Sequence, residues 1–432
     1  MTTPAPDTDA ILEFLFRLGQ AQLACGEQTA QVELLLRRIA SAYGMRRSRV
    51  VVFPTAVFVS LHDGTQERVT LAEGPTHRLR LDQIADVHAL TQSAESADIS
   101  ARQGIERLSE ILKKRARFGS AGSVVGHAIL TLGLAMVLKP SLFNLLAAVV
   151  LGAIVGLLKL VNQNRPVLAV PTPVIAAALV SALVFLALKH GLPVDPTYVL
   201  VPPLVTFLPG AMLSLGMVEL AYGDMVSGSS RLITGFVQLV LLAFGFAAGA
   251  LLVGYAPNDL IEAAAKTEAF AWGSWGPWAA VFVFGLGVYV HFSAPQNSLW
   301  WVLLVVLAAF AAQRLATALL NSEVSGFFGM LVATPLGYLI QTKFRGPPAM
   351  VTFLPAFWLV VPGSLGLTSV TQLLSDRAAG IDGLVTVVFA IASIALGTLV
   401  GASLYKAVTE HFGWWRLQIG RVGSYVRRAD RR

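Results

Sequence analysis

The chain has a single cysteine, Cys25, in 432 residues. One thiol can build neither an intrachain disulfide nor a cysteine-based metal site. His62, Asp63, His77 and His88 hold no recognised ligand spacing, and His62-Asp63 suits a turn, where aspartate is favoured for backbone reasons. The apolar stretches contain neither paired acidic metal motifs nor a serine with a nearby base, so the sequence predicts no enzyme, no metal and no cofactor. The first residues also lack the basic start, apolar run and small-residue cleavage site of a signal peptide. They carry Asp7, Asp9, Glu13 and Arg17 instead, so the N-terminus is expected to stay in the cytoplasm. Charge is the scarcest commodity of all: 13% of residues are charged against 55% hydrophobic, and the mean hydropathy is +0.67.

That shortage is local. Residues 1–118 carry 15 Lys/Arg and 14 Asp/Glu, an ordinary density for a soluble domain, while residues 119–405 carry only 10 and 9. The tail, 406–432, adds 7 Lys/Arg against 2 acids. With the run Lys113-Lys114-Arg115-Ala116-Arg117, the tail accounts for most of the net charge of +7. Basic flanks beside apolar segments read as membrane-side anchors rather than as a nucleic-acid surface. The expected organisation is a cytoplasmic α+β domain (1–118), a transmembrane domain (119–405) and a basic cytoplasmic tail (406–432).

In the first part, Val32, Leu35, Leu36 and Ile39 fall at helical spacing, and Gly44 follows where a left-handed stop suits glycine. The run "RVVVFPTAVFVSLHDGTQERVTLAE" predicts a long strand, a turn at Asp63-Gly64 and a shorter strand around Arg68 to Leu71. Pro54 marks an edge or a bulge in that long strand. From Leu81 to Arg117 the pattern is helical again. Surface histidines on a docking or regulatory domain are the plain reading.

A span needs about 20 mostly apolar residues. Cutting at charges and turn clusters gives ten: 122–138, 142–161, 167–188, 197–222, 232–255, 275–292, 298–319, 325–341, 349–374 and 384–405. An even count leaves both termini on one side. The connections do not set the orientation, with Lys159, Arg165, Arg231, Lys343 and Arg345 on the side of the termini and Lys139, Lys189, Lys266, Arg314 and Arg377 on the other. The basic flanks of the first and last spans do, and they place both termini in the cytoplasm of an inner (plasma) membrane protein. Asp195, Asp259, Glu262, Glu268, Asp376 and Asp382 fall on the far face, where Trp272, Trp275 and Trp278 fit an interfacial belt.

The fourth and ninth spans carry echoing segments, "PPLVTFLPG" at 202–210 and "PPAMVTFLPAFWLVVPG" at 347–363. Being five spans apart, they must cross in opposite senses, which predicts two inverted five-helix repeats, about 119–255 and 275–405, in the manner of many secondary transporters. Two registers are open: Pro202-x6-Pro209-Gly210 against Pro355-x6-Pro362-Gly363, or "VTFLP" against "VTFLP". A Pro-Gly step removes a donor and permits a left-handed residue, so it unwinds a helix, and in lipid such a break persists only against protein or a water-filled cavity. New half-helices are expected to start at Gly210 and Gly363, each offering free amides and a positive dipole end to a carboxylate. Thr206, Ser214, Thr352 and Ser364 are near enough in sequence to supply hydroxyls.

Glu219 lies about nine residues past the first break, hence about 13 Å further along a helix. It reads either as a proton-relay carboxylate or as an interfacial residue in contact with water. Asp224 and Arg231 read as a solvated pair in the connection after it. His127, in the first span, reads as a titrating group or as a neutral histidine bonded to a neighbouring carbonyl.

This order of parts resembles the threonine/serine exporter family, which joins a cytoplasmic N-terminal domain to about ten spans. The resemblance rests on "LACGEQTAQVELLLRRIASAYG" at 23–44, "PPLVTFLPGAMLSLGMVELAYGDMVSGSSRL" at 202–232 and "PPAMVTFLPAFWLVVPGSLGL" at 347–367. An arginine common in the first of these is replaced by Gln31. The resemblance implies export of small hydroxylated amino acids driven by the proton-motive force, and two-chain relatives imply small dicarboxylates such as succinate as the alternative cargo. A membrane scaffold or sensor with a cytoplasmic output domain is the other class of reading. The expected substrate-binding residues are Thr206, Pro209, Gly210, Ser214, Thr352, Pro362, Gly363 and Ser364, and the expected proton-coupling residues are Glu219 and Asp224. The partners expected are an amino-acid substrate, protons, the lipid bilayer and a further copy of the chain, with no nucleic acid.

Overall fold

The computed structural model describes residues 7–411 apart from 46, 63–65, 74–77, 139–140, 164, 255–272, 321, 361–368 and 370–376. The N-terminal part contains α1 (Thr8–Cys25), α2 (Thr29–Ala42), β1 (Ser48–Phe53), β2 (Ala56–His62), β3 (Glu67–Glu73), α3 (Leu81–Glu95) and α4 (Ala101–Lys113). The three strands form an antiparallel sheet in the order β1-β2-β3. Alternation sends Val50, Val52, Val57, Val59 and Leu61 inward, where Gly19 lets α1 approach Leu36 of α2 and Val57. The helix expected over Val32 to Ile39 is α2, and Gly44 beyond it has a φ of +86°. The long strand through Pro54 is instead two strands: Phe53 pairs with Ala56, making Pro54-Thr55 the turn. Proline has a fixed φ and no amide to donate, so it fits that corner better than a ladder. The Asp63-Gly64 turn and His77 lie outside the described residues; β2 and β3 pair on either side of the turn, His62 with Glu67.

Among the described residues eight helices are long and apolar enough to cross a membrane, and two shorter apolar helices occupy the fourth and ninth places. In chain order they are α5 (Gly119–Leu138), α6 (Leu142–Asn162), α7 (Pro171–Lys189), a fourth element in pieces, α10 (Met225–Leu252), α11 (Gly276–His291), α12 (Leu299–Leu319), α13 (Ser322–Thr342), the shorter α14 (Ala349–Val360) and α15 (Arg377–His411). The fourth element comprises α8 (Pro196–Val199), a 3-10 turn (Pro202–Phe207) and α9 (Gly210–Ala221). The chain is thus a mainly α-helical polytopic membrane protein with a small N-terminal sheet. Of the residues placed in connections by sequence, Lys159 lies within α6, Arg314 within α12 and Arg231 within α10. Charge alone does not end a helix when the side chain finds a polar partner: α10 starts at Met225 and takes in Arg231, where the sequence began that span at 232. Lys159 and Arg314, counted among the connection charges, fall inside the expected spans 142–161 and 298–319 as they do inside α6 and α12.

Helices α5 and α11 run antiparallel in close contact. A Cβ on Gly126 would collide with the backbone of His291, one on Gly133 with that of Phe284, and one on Gly287 with that of Leu130. Small residues here allow backbone-to-backbone packing where no hydrophobic force drives helices together. Helix α7 packs on α10 as α13 packs on α15. Val205 of the 3-10 turn and Val351 of α14 share one apolar cluster, and Ala211 at the start of α9 packs against the cluster of Ala349, Phe353, Ala356 and Phe357. The broken fourth element therefore abuts the ninth.

The N-terminal part is seated directly on this bundle. One apolar cluster runs from Phe14, Leu18 and Leu36 through Leu90 and Leu108 to Leu130, Phe284 and Val288. The Leu81 amide donates to the Phe292 carbonyl at 3.1 Å, and the Phe292 ring stacks on Trp358 with centroids 4.4 Å apart.

Candidate functional site

The break in the fourth element follows from its prolines. Leu208, preceding Pro209, takes an extended conformation (φ −67°, ψ 130°), as the residue before a proline prefers. Pro209 then serves as the cap of α9, and its carbonyl accepts the Leu213 amide at 2.9 Å. The Phe207 carbonyl, released by the break, accepts a hydrogen bond from Gln238 Nε2 of α10 at 2.6 Å. An interrupted helix is thus held inside the bundle with its freed carbonyl satisfied by a side chain, as an apolar surround demands.

Just before the break, four side chains from four elements meet. Lys159 Nζ of α6 lies 2.9 Å from Thr206 Oγ1 and 3.0 Å from His291 Nε2 of α11. His127 Nε2 of α5 lies 3.3 Å from the same Thr206 oxygen. The other ring nitrogens face carbonyls: His127 Nδ1 is 3.0 Å from the Gly152 oxygen and His291 Nδ1 is 2.7 Å from that of Ser123. A carbonyl only accepts, so each Nδ1 carries the proton and each Nε2 presents a lone pair. The network then has one direction. The ammonium donates to Thr206 and to His291, and the Thr206 hydroxyl donates to His127. The two imidazoles are edge to face, 4.9 Å between centroids, and the Phe207 ring lies 5.6 Å from the ammonium. His127 and His291 are buried, whereas Lys159 and Thr206 are half-buried. Among the described residues no carboxylate pairs with Lys159.

A second cluster lies at the far end of α9. Glu219 is buried, and Arg231 Nε donates to its Oε2 at 2.9 Å. The Thr29 amide, at the start of α2, donates to Glu219 Oε1 at 3.1 Å. The Thr29 hydroxyl is 3.2 Å from that oxygen and also within reach of Asp224 Oδ2, so the two carboxylates compete for its one proton. Arg231 Nη2 donates to the Glu27 carbonyl at 3.3 Å. The start of α2 thus presents its amide and dipole end to two carboxylates of the bundle. This corrects the sequence reading: Asp224 caps α10, Arg231 lies in its second turn, and neither belongs to a solvated pair. Burial lifts the Glu27 carboxyl itself, between α1 and α2, to about 7.

The other expected positions divide. Pro209 and Gly210 make the break, and Thr206 joins the lysine cluster. Ser214 is fully buried on α9 with an unpartnered hydroxyl. Thr352 is fully buried and donates to the Ala349 carbonyl of its own helix at 3.0 Å. Helix α14 runs through Pro355 to Val360, so the second "VTFLP" is helical where the first is broken. Pro362, Gly363 and Ser364 lie outside the described residues. His127 is the neutral, carbonyl-bonded histidine that one of its two readings expects. Asp195, expected on the far side of the membrane, is fully buried, its amide bonded to Asn144 Oδ1 at 2.9 Å. Sequence reasoning missed Lys159, His291, Arg231 and Thr29. For Lys159 the signal was present, since "VGLLKLV" continues the apolar run on both sides of it.

Comparison with known proteins agrees with this architecture. A family model for threonine/serine exporters matches residues 13–253, from α1 through α10. The threonine/serine exporter of Corynebacterium glutamicum is 21% identical over 423 residues, covering 90% of this chain and 81% of that protein. Pheromone-regulated membrane protein 10 of Candida albicans is 21% identical over 402 residues, covering 86% of this chain but 35% of its own length. No solved structure matches the chain. The family match takes in more than half of the chain, with His127, Lys159 and Thr206 of the lysine cluster and the α2, α9 and α10 residues of the second; this multi-pass membrane protein belongs to the threonine/serine exporter family.

Proposed function

We propose that the chain is a secondary active exporter of small hydroxylated amino acids, threonine and serine, driven by the proton-motive force from an inner membrane with both termini in the cytoplasm. The observation that carries this reading is the interrupted fourth element, whose half-helix α9 begins inside the bundle and packs against the ninth element. Free amides at Gly210 and Ala211 and the dipole end of α9 favour a carboxylate there, and Thr206 supplies a hydroxyl beside it. The recurrence of the α7–α10 pairing in α13–α15 supports two related halves moving about that site. Glu219 and Asp224 act as the proton-coupling carboxylates, with Arg231 as the partner that protonation of Glu219 releases.

Two measurements test the reading. Efflux of labelled threonine, serine and succinate from proteoliposomes under an imposed proton gradient is expected for the two amino acids, and Gly210→Leu is expected to abolish it. Succinate efflux alone would replace the cargo while keeping the architecture. Glu219→Gln is expected to lose gradient-driven efflux and to keep substrate exchange; full net efflux in that variant would remove the proton role.

A further inference from the structure

We infer that Lys159 is the cation that receives the substrate's carboxylate, and that Thr206, His127 and His291 hold its ammonium toward the break. The inference rests on the exporter reading for its cargo but on separate residues for its site. A lysine inside a membrane bundle normally finds a carboxylate, because an unpaired buried charge is costly. Lys159 instead has two neutral partners, Thr206 and His291. Both imidazoles are tied through Nδ1 to backbone carbonyls, so neither can turn away to relieve the ammonium. They supply lone pairs but no negative charge, and the site is left one anion short. Lys159 and Thr206 are half-buried while both histidines behind them are buried, which puts the accessible side of the cluster at the lysine. Thr206 lies four residues before Gly210, so the ammonium and the first amides of α9 flank the same broken segment.

An incoming carboxylate is the chemistry that completes this arrangement. It replaces His291 Nε2 as an acceptor for Lys159, and the released Nε2 lone pair then accepts from the substrate's own ammonium or hydroxyl. The charged groups facing the cluster from the elements packed around it are Lys159 from α6 and, in neutral form, His127 from α5 and His291 from α11; the 3-10 turn contributes only Thr206. A zwitterion sets its carboxylate against the Lys159 ammonium and brings its own ammonium for the imidazole lone pairs to receive, so the site keeps the single positive charge of Lys159. A dicarboxylate brings a second negative charge that no described group here answers.

The test is equilibrium binding of labelled threonine to the purified full-length protein in detergent, with unlabelled threonine, threoninamide and succinate as competitors. Threoninamide, which lacks the carboxylate, is expected to compete at least about tenfold more weakly than threonine in the wild type. Lys159→Met is expected to weaken threonine binding by about tenfold or more, Lys159→Arg to retain the preference for threonine over its amide, and Thr206→Val to weaken binding without abolishing it. The Arg and Val variants keep the question open to decision if the Met variant fails to fold. Threonine bound equally by wild type and Lys159→Met overturns the inference and leaves the exporter reading intact. Succinate bound in place of threonine, and lost in Lys159→Met, keeps Lys159 as the carboxylate site and overturns the amino-acid cargo. Equal competition by threoninamide and threonine, or binding of neither carboxylate, overturns the inference.

Discussion

Glu27 is half-buried between α1 and α2, and its carbonyl is bonded to the same arginine that pairs with Glu219. Burial disfavours its charged form and raises its carboxyl from 4.5 to about 7. The folded protein therefore holds this proton over a window in which the unfolded chain has released it. Stability from this group is greatest below the unfolded value and declines as pH rises toward 7. Water reaches part of the side chain, so the decline is expected to be on the order of 1–2 kcal/mol rather than the full value of the shift. Thermal unfolding in detergent between pH 5 and about 8 checks this. Glu27→Gln is expected to flatten that part of the profile, and a wild type that gains stability over the window would contradict the assignment. Glu219 differs in kind: its Arg231 partner and the Thr29 amide satisfy both carboxylate oxygens, so its burial is compensated by specific bonds.

At the scale of elements, the lysine cluster depends on how closely α5 approaches α11. Gly126 faces the His291 backbone directly, and Gly287 faces Leu130. An added methyl at either position forces the helices apart, at a cost of about 1–3 kcal/mol for overpacking. Because His291 sits at the contact itself, the same displacement draws its Nε2 away from Lys159. Gly126→Ala and Gly287→Ala are each expected to lower the unfolding midpoint, and Gly126→Ala to weaken threonine binding as well. Unchanged stability in both would show that the helices are not in backbone contact. The helices themselves were legible in the sequence, because ten apolar runs and a proline-interrupted fourth one follow from length, hydropathy and backbone chemistry. One end was less so, since the fifth span was begun after Arg231, which lies inside α10. Lys159 lay inside its expected span, 142–161, yet was counted as a connection charge, because its partners Thr206 and His291 come from elements 47 and 132 residues distant. Thr29 escaped for a similar reason: nothing local marks a helix start that caps carboxylates 190 and 195 residues away.

For the whole molecule, the N-terminal part and the bundle share one apolar cluster. Their apolar cores are continuous through Leu90, Leu130 and Phe284, so excising residues 1–110 exposes apolar surface on the bundle and confounds folding with function. The polar contact is the more selective lever. The start of α2 meets the end of α9, and α9 begins at the break, so the Thr29 contacts with Glu219 and Asp224 connect the domain to the half-helix that borders the proposed site. Any movement of α9 that opens the site has to stretch or release that connection. Thr29→Val removes the hydroxyl bonds, keeps the amide bond and conserves shape, so a loss on the order of 1 kcal/mol is expected, too little to unfold the protein. With a weaker connection, α9 is expected to move more readily: amide hydrogen exchange at the start of α2 and the end of α9 rises together, and the rate of threonine efflux changes while threonine affinity at Lys159 does not. Faster exchange confined to α2, with efflux unaltered, would mean that the domain stabilises the bundle without governing the movement of α9.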